Sequence, residues 1–407
     1  MRIELRNLKS KAFTQHLDKL KLTHATTLYI HNCTLGKSGI KALTTTPFLS
    51  TLDTLLIEKC RLKPHELEAI CDTKNLSNVQ YLSLCKNSIK DEGAEIIARA
   101  TAFPNLSTLN LTGTQLGIKG IHHLANGVAT RSVQSWLLNT TKMKKEGATA
   151  LVKGNSVKGT TSLELINCQL GFAGVKALVT SPNLSDLEIL NIMENKLNDK
   201  AIKSIAQSQY MSQLRELRVR YEPLGDASIS ALSNSPFMSN LERLQMSQTR
   251  LSHNGIAILA TSPHLHNLTE LHISTCPAIG VKGLNSLINA PNLRALRVLN
   301  LGGNRLGFDG LQLLSSAHNW PALEELHLSN NYLNDDAFDH LMAWEGLRKI
   351  KRLNISSNDL SEVTLRRLVD PEITPALEKI GLWQTLSNAE SIISEIRNLN
   401  VLMTMWY

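Results

Sequence analysis

Charged, amide and aromatic residues recur at equivalent places in the middle of this chain and could together bind a protein. Equivalent members of the set are 27 residues apart, as Glu216 and Arg243 are. Tyrosine and arginine combine a large contact area with directed hydrogen bonds, so they are enriched in the hot spots of protein interfaces. The set that we predict to form a protein-binding surface is Glu216, Arg218, Arg220, Tyr221, Arg243, Gln245, Glu270, His272 and His327. The alternative interpretation is a ladder of cross-strand pairs that neutralise one another.

Trp383, near the end of the repeating part of the chain, is a further candidate for this surface. Its alternative role is to pack under a carboxy-terminal cap. We expect that Arg218, Arg220 and Tyr221 can be replaced together by alanine with a loss of partner binding and no loss of thermal stability.

The run Gly36, Lys37, Ser38 resembles the end of a loop that binds phosphate through backbone amides. Such a loop needs another glycine five residues before the glycine-lysine pair, and His31 stands there. We therefore interpret the run as a turn between repeats and predict no cofactor.

His65 and Glu66 would begin a zinc-binding helix only if a second histidine followed three residues after the glutamate, where Ala69 stands. Residues that are far apart in a repeat sequence also stay far apart in space, so no Ser-His-Asp or Cys-His arrangement can be assigned. We predict no metal site, no catalytic residue and no small-molecule substrate, and we expect that the chain is not an enzyme.

A 27-residue repeat positions all of these residues. One apolar position returns at this spacing, with a single step of 28 residues, at Leu28, Leu55, Leu82, Leu109, Trp136, Leu163, Leu190, Leu217, Leu244, Leu271, Leu299, Leu326, Leu353 and Ile380. Such a period indicates stacked units that cannot bury their apolar faces alone. We count about 14 repeats in one continuous domain, residues 25–386.

Each repeat reads as a short strand followed by a helix. Leu82 and Leu84 alternate with polar residues at the strand period of two, whereas the next segment has helical spacing. A strand, a helix and a return to a parallel strand form a crossover that is right-handed in nearly all proteins. The sequence therefore predicts an α/β fold: a right-handed solenoid shaped as a horseshoe, with a parallel sheet on the concave side and helices on the convex side.

A polar slot follows each strand and holds Asn, Cys or Thr, for example Asn87, Cys60 and Thr114. We expect these short side chains to satisfy backbone groups that lose their ladder partners where the strand ends. Four of the six cysteines occupy this slot, so we predict that they are reduced packing residues, as in a reducing compartment.

The two ends of a solenoid need covers. Leu5, Leu8, Phe13, Leu17 and Leu20 have helical spacing, so residues 1–24 are predicted to form an amino-terminal capping helix. Residues 387–407 are predicted to form a carboxy-terminal one.

The net charge of +8 raises the possibility of a nucleic-acid partner. A nucleic acid bound on the concave face would need a basic track, and that face is nearly neutral. Its predicted charged residues are seven basic and six acidic: Lys59, Lys86, Arg218, Arg220, Arg243, Arg352, Lys379 and Glu58, Glu164, Glu194, Glu216, Glu270, Glu325. We therefore rank nucleic acid behind protein, and the lack of a long apolar run predicts no membrane span.

The motif L-x-x-L-x-L-x-x-(N/C)-x-L, together with a helix such as Leu170, Gly171, Gly174, Ala177 and Leu178, resembles the ribonuclease-inhibitor-like class of leucine-rich repeat proteins. Members of that class act as inhibitors, GTPase-activating proteins, immune sensors and bacterial effectors that are injected into host cells. A chain made of repeats alone is similar to the stand-alone bacterial effectors. The resemblance implies a cytoplasmic protein, translocated into a host cell by a specialised secretion system.

Our leading hypothesis is a non-enzymatic module, monomeric, whose concave face binds a protein partner of the host. One alternative is a regulator of an enzyme, such as a GTPase-activating protein or an inhibitor. It would need a polar loop outside the repeat register, and the one insertion, near Cys276, is a single residue long. The other alternative is a nucleic-acid-binding protein, which predicts retention on heparin or DNA that falls steeply with salt.

Overall fold

The computed structural model describes residues 1–19, 25–384 and 402–403. Contacts within the chain divide it into two compact units. Unit 1 comprises Met1–Leu197 and Ser208–Gln213, and unit 2 comprises Asn198–Gln207 and Leu214–Tyr407.

Unit 1 alternates strands and helices in chain order. Its strands, each paired in parallel with the next, are β1 Arg2–Arg6, β2 Thr27–His31, β3 Thr54–Glu58, β4 Tyr81–Ser83, β5 Thr108–Asn110, β6 Ser135–Leu137, β7 Ser162–Glu164 and β8 Ile189–Asn191. Its helices are α1 Ser10–Lys19, α2 Gly36–Thr45, α3 Pro64–Cys71, α4 Lys90–Ala98, α5 Ile118–Asn126, α6 Lys144–Lys153 and α7 Gly171–Val179. Consecutive helices pack against one another.

Unit 2 repeats the same arrangement. Its helices are α8 Asp199–Ala206, α9 Asp226–Ser233, α10 His253–Ala260, α11 Gly280–Ile288, α12 Gly307–Leu314, α13 Asp335–Ala343 and α14 Glu362–Leu368. Its parallel strands are β9 Glu216–Arg218, β10 Arg243–Gln245, β11 Glu270–His272, β12 Val298–Asn300, β13 Glu325–His327, β14 Arg352–Asn354, β15 Lys379–Gly381 and β16 Leu402–Met403.

The register predicted from the sequence is confirmed. Leu28 pairs with Leu55 in unit 1, and Leu217 pairs with Leu244 in unit 2, so the recurring apolar position forms one continuous row within each unit. These side chains are fully buried. The fold is therefore an α/β solenoid of parallel strands in chain order, with a helix after each strand from β1 to β14.

The polar slot works as the sequence predicts. The Asn87 Oδ1 atom accepts hydrogen bonds from the backbone N–H groups of Cys60 (2.9 Å) and Leu62 (3.2 Å), which belong to the preceding repeat. The Asn87 Nδ2 atom donates to the carbonyl oxygens of Ile57 (2.7 Å) and Leu84 (3.0 Å). One buried amide thus ties two repeats together.

The cysteines of the same slot are free and buried, as predicted. Burial raises the pKa of the Cys60 thiol to about 12. Thiols held in this way are inert packing residues and weak donors to nearby carbonyl groups.

The amino terminus differs from the expectation of a single capping helix over residues 1–24. Arg2–Arg6 form a strand, β1, and the helix begins only at Ser10. Ile3 and Leu5 alternate with charged residues, so they point inward and β1 pairs with β2 as one more strand of the sheet. The predicted carboxy-terminal helix falls mainly on residues outside the described ones; of that segment the structure describes Leu402–Met403, which form β16 beside β15.

No helix in the described ranges is both long enough and apolar enough to cross a membrane.

Candidate functional site

Three rows of side chains run across the strands of unit 2 on the face opposite the buried leucines, which we call the open face. Row one is Glu216, Arg243, Glu270, Val298, Glu325, Arg352 and Lys379. Row two is Arg218, Gln245, His272, Asn300, His327, Asn354 and Gly381. Row three is Arg220, Ser247, Ser274, Gly302, Ser329, Ser356 and Trp383, where hydrogen bonds such as that from Gln248 N to Ser274 O (2.8 Å) continue the ladder beyond the strands.

Glu216 is a buried carboxylate, 3% exposed, held between two arginines. One of its oxygens accepts a hydrogen bond from Arg218 Nε on the same strand, and the other accepts from Arg243 Nε on β10 at 2.7 Å. We expected that Arg218 could be replaced without loss of stability. This contact corrects that expectation, because removing Arg218 leaves a buried charge short of a partner.

Glu325 forms a second buried cluster. Its oxygens accept from His327 Nε2 at 2.7 Å and from Arg352 Nε on β14. Burial acts to raise the pKa of Glu325, but the hydrogen bonds from His327 and Arg352 outweigh it, so the pKa lies below its ordinary value of 4.5. His327 was predicted to face a partner, but it is only 6% exposed, because it lies against this carboxylate.

The variant Glu325→Gln is expected to remove an acid-sensitive part of the stability of unit 2. Because the pKa of Glu325 is lower in the folded chain than in the unfolded chain, its contribution is complete above about pH 4.5 and is lost as the pH falls through the folded-state pKa. The difference in melting temperature between wild type and variant, measured from pH 6 down to pH 3, should therefore shrink below about pH 4.5. A difference that stays constant over this range would contradict the ionised pairing.

Glu270 and His272 form a looser pair on β11, with 3.9 Å between His272 Nε2 and Glu270 Oε2. The proximity of His272 is the main cause that lowers the pKa of Glu270. In row one, then, the structure shows the neutralising pairs that were the alternative interpretation of the sequence, and these pairs fix the floor of the open face.

A polar groove of about 330 Å³ lies above this floor at the carboxyl ends of the strands. Most of its lining residues come from rows two and three and from the turns that follow; they are Arg220, Gln245, Ser247, His272, Ser274, Thr275, Asn300, Gly302, Gly303, Glu325, His327, Ser329, Asn330 and Asn354. Hydroxyl and amide groups provide both donors and acceptors, so the groove suits a polar ligand surface.

Arg220 differs from the other arginines of the open face. It makes no ion pair with a described residue, and its Nε atom is buried without a hydrogen-bond partner in the described part of the chain. Its Nη2 atom donates to the Tyr221 hydroxyl at 3.3 Å, and its guanidinium lies 5.2 Å from the centre of the Tyr221 ring. An unsatisfied, buried N–H of this kind has unused capacity to bind an acceptor.

Tyr221 has an unusual backbone conformation for an aromatic residue, with φ at +62°. Residues that follow row three, and their equivalents in unit 1, all have positive φ; they are Asn32, Lys59, Lys86, Gly113, Thr140, Asn167, Glu194, Tyr221, Gln248, Thr275, Gly303, Asn330, Ser357 and Gln384. Tyr221 is the only aromatic residue among them and is 45% exposed.

The structure brings together four residues that the sequence predicted, Arg220, Gln245, His272 and His327, around one groove. Trp383, 57% exposed, lies in row three on the chain that leaves β15 and does not line the groove. Sequence reasoning missed the serines and glycines of row three. The signal that could have found them is the run Glu-Leu-His-x-Ser, which occurs at residues 270–274 and again at 325–329.

Within the described ranges, no group of three or more His, Cys, Asp or Glu side chains is arranged to hold a metal ion.

Residues 264–287 and 292–315 match the family described as Leucine Rich repeat. No curated protein is significantly similar to this chain in sequence. The matched segments are similar in sequence to the leucine-rich repeat, and the α/β solenoid fold agrees with that similarity.

Several solved structures are similar to this chain at low sequence identity. A TLR13 complex with the RNA ssRNA13 is 17% identical, with a TM-score of 0.52, over 90% of this chain and 58% of that one. An internalin from Listeria monocytogenes is 19% identical over 80% of this chain and 79% of its own, with a TM-score of 0.48. The Rad7 and Elc1 complex of yeast gives 17% identity over 87% of this chain and 90% of that one, with a TM-score of 0.48.

Proposed function

We propose that this protein is a non-enzymatic module that binds a protein partner through the open face of unit 2. Tyr221 carries the proposal. A left-handed conformation costs an ordinary residue about 1–2 kcal/mol, whereas asparagine and glycine, which occupy the same turn in other repeats, adopt it readily. The same conformation recurs at the equivalent position of the other described repeats, so the turn belongs to the fold, and in this repeat it presents an exposed tyrosine stacked on an arginine.

The floor beneath Tyr221 supports a binding role. Glu216 binds Arg218 and Arg243, and Glu325 binds Arg352 and His327, so the three arginines are fixed before any partner arrives. A surface ordered in advance loses less conformational entropy on association. Leucine-rich repeats built in this way serve as interaction surfaces, which agrees with the family match.

The hydrogen bond between His327 and Glu325 supports binding over catalysis. A serine nucleophile needs its base within about 2.6–3.2 Å of the hydroxyl oxygen. The Nε2 atom of His327 is already engaged by Glu325 at 2.7 Å.

A pull-down that compares the wild-type chain with the double variant Tyr221→Asn, Arg220→Gln tests the proposal. We expect wild-type chain to retain a partner from lysates of candidate host cells, and the double variant to bind the same purified partner at least about tenfold more weakly, as for a hot-spot pair. Because asparagine suits the left-handed turn, Tyr221→Asn alone should raise the free energy of unfolding by about 0.5–1 kcal/mol.

The matched control is Arg294→Gln, which removes one exposed positive charge from a turn outside the three rows. It should leave capture unchanged. If the double variant binds as well as wild type, or if Arg294→Gln weakens binding equally, the open face of unit 2 is not the binding surface.

We further propose that the protein belongs to the ribonuclease-inhibitor-like class and acts as a monomer in a reducing cytoplasm, as a translocated effector does. Six free cysteines, five of them buried, support a reducing compartment. A translocation reporter fused to the chain and assayed in host cytosol tests the location, and light scattering of the purified chain tests the monomer.

A further inference from the structure

Row three of unit 2 is a line of small residues between two large ones, which we call the trough, and four of the small residues line the polar groove. From β10 to β14 it holds Ser247, Ser274, Gly302, Ser329 and Ser356. At Gly302 a Cβ atom would come within 2.6 Å of Ser329 Oγ, so glycine keeps the floor low at this point. The equivalent row in unit 1 carries mostly larger side chains, including His31, Glu58, Asn139, Ile166 and Met193.

The trough has a different large residue at each end. Arg220 lies at the β9 end, and Trp383 lies at the β15 end, where Ser357 N donates to Trp383 O at 2.8 Å. Six strand spacings separate the two ends, which corresponds to about 29 Å. An extended peptide of about nine residues covers this distance.

The charges of the open face favour an acidic ligand at the Arg220 end. Rows one to three carry five basic side chains against three acidic ones: Arg218, Arg220, Arg243, Arg352 and Lys379 against Glu216, Glu270 and Glu325. Arg218, Arg243 and Arg352 are held by buried carboxylates, whereas the buried Nε of Arg220 has no partner in the described part of the chain. A carboxylate placed there would gain a charge-assisted hydrogen bond that the free protein lacks.

The geometry points to an extended, acidic segment of a protein as the ligand of this trough, with a carboxylate at Arg220 and an apolar side chain against Trp383. This inference rests on the proposed function and names the chemistry of the partner. A nucleic acid fits less well, because it needs a track of cations along its backbone, and among the described residues of the three rows only Arg220 and Lys379, on β9 and β15, are cations outside an ion pair.

Synthetic nine-residue peptides test the inference on the full chain by fluorescence anisotropy. The probe has two aspartates at one end, a glycine-serine spacer with a fluorescein-labelled cysteine, and two leucines at the other end; a second probe has the reverse order. We expect one of the two to bind, and its asparagine counterpart to bind at least about tenfold more weakly, as for a lost charge-assisted contact.

Variants of the protein locate the bound peptide. Arg220→Gln should reduce the affinity for the acidic probe about tenfold and leave the asparagine probe unchanged, whereas Arg220→Glu should prefer a probe with lysines in place of the aspartates. Trp383→Ala should weaken binding about fivefold through the leucine end. Ser274→Phe, which fills the trough and alters no charge, should abolish binding, and Arg294→Gln should have no effect.

The inference is overturned if neither acidic probe binds at millimolar concentration, if the asparagine probe binds equally well, or if Arg220→Gln leaves the ratio between the two probes unchanged. Tighter binding of a nine-nucleotide oligothymidylate than of either peptide would also overturn it, in favour of a nucleic acid. These outcomes can be told apart from a failure of the proposed function. If capture of a partner depends on Tyr221 and Arg220 but the contacting segment of that partner is neutral, the acidic ligand is refuted and the proposed function stands.

Discussion

Replacing Arg218 and Arg243 together by methionine is expected to lower the free energy of unfolding by about 3–5 kcal/mol. The two arginines bind the two oxygens of Glu216, whose side chain is 4% exposed, and methionine offers neither charge nor a donor. The double variant therefore leaves an uncompensated carboxylate buried in the sheet. Chemical denaturation followed by circular dichroism measures the loss.

The control for this prediction adds Glu216→Met to the double variant. Once the buried charge is gone, most of the lost stability should return, because apolar side chains of similar volume can replace a buried ion cluster at little cost. A double variant within about 1 kcal/mol of wild type, or a triple variant that is no more stable than the double one, would show that Glu216 does not depend on these two arginines.

The variant Asn331→Ala is expected to cost about 3–5 kcal/mol, since it leaves several buried backbone groups without partners. The Asn331 Oδ1 atom accepts from Asn304 N (2.9 Å) and Leu306 N (3.3 Å), and its Nδ2 atom donates to Leu301 O (2.9 Å). Asn358 repeats the arrangement one repeat later, accepting from Asn331 N at 3.0 Å. The ladder of asparagines links neighbouring repeats of unit 2. Breaking it therefore weakens the interface between repeats as well as the repeat that carries Asn331.

Thr249→Val provides the matched control, in the same slot of another repeat. The Thr249 hydroxyl donates to Met246 O at 2.8 Å and contacts Cys276 Sγ, but among the residues that the structure describes it accepts no backbone N–H of a neighbouring repeat. Its loss should therefore cost only about 1 kcal/mol. Equal losses for Thr249→Val and Asn331→Ala in thermal and urea denaturation would contradict the special role of the asparagine ladder.

The repeat register could be predicted from the sequence because one buried row carries leucine at nearly every step. Leu217, Leu244 and Leu271 lie side by side as the 27-residue spacing requires. The strand at the amino terminus could not be predicted in this way. Ile3 and Leu5 are only two alternating residues, and the helical spacing of Phe13 and Leu17 just after them dominates the pattern.

The face on which the candidate site lies could be predicted, but its depth and its charge balance could not. Alternation along each strand places Arg218 and Arg220 on the open face, away from the leucines. Sequence alone does not show that Glu216 is covered by arginines from two strands, because that depends on side-chain conformations across the sheet. The trough was missed because serine and glycine carry little signal until the register sets them in one row.

The left-handed turn after each strand was also beyond the reach of the sequence. Its residues include lysine, glutamate, threonine and glutamine as well as asparagine and glycine, so no single type marks the position. Only the backbone shows that these residues share one turn, and Tyr221 is the one aromatic residue among the fourteen described at that position, which identifies it as a functional candidate.

Site-specific photocrosslinking tests the central claim most directly. Benzoylphenylalanine is placed at Thr275, an exposed residue at the edge of the groove, or at Asn234, an exposed residue that ends α9, and each chain is irradiated with the purified captured partner. A covalent adduct with the partner from position 275 and none from position 234 is the predicted result. An adduct from position 234 with none from position 275 would place the partner on the helices and contradict binding through the open face of unit 2.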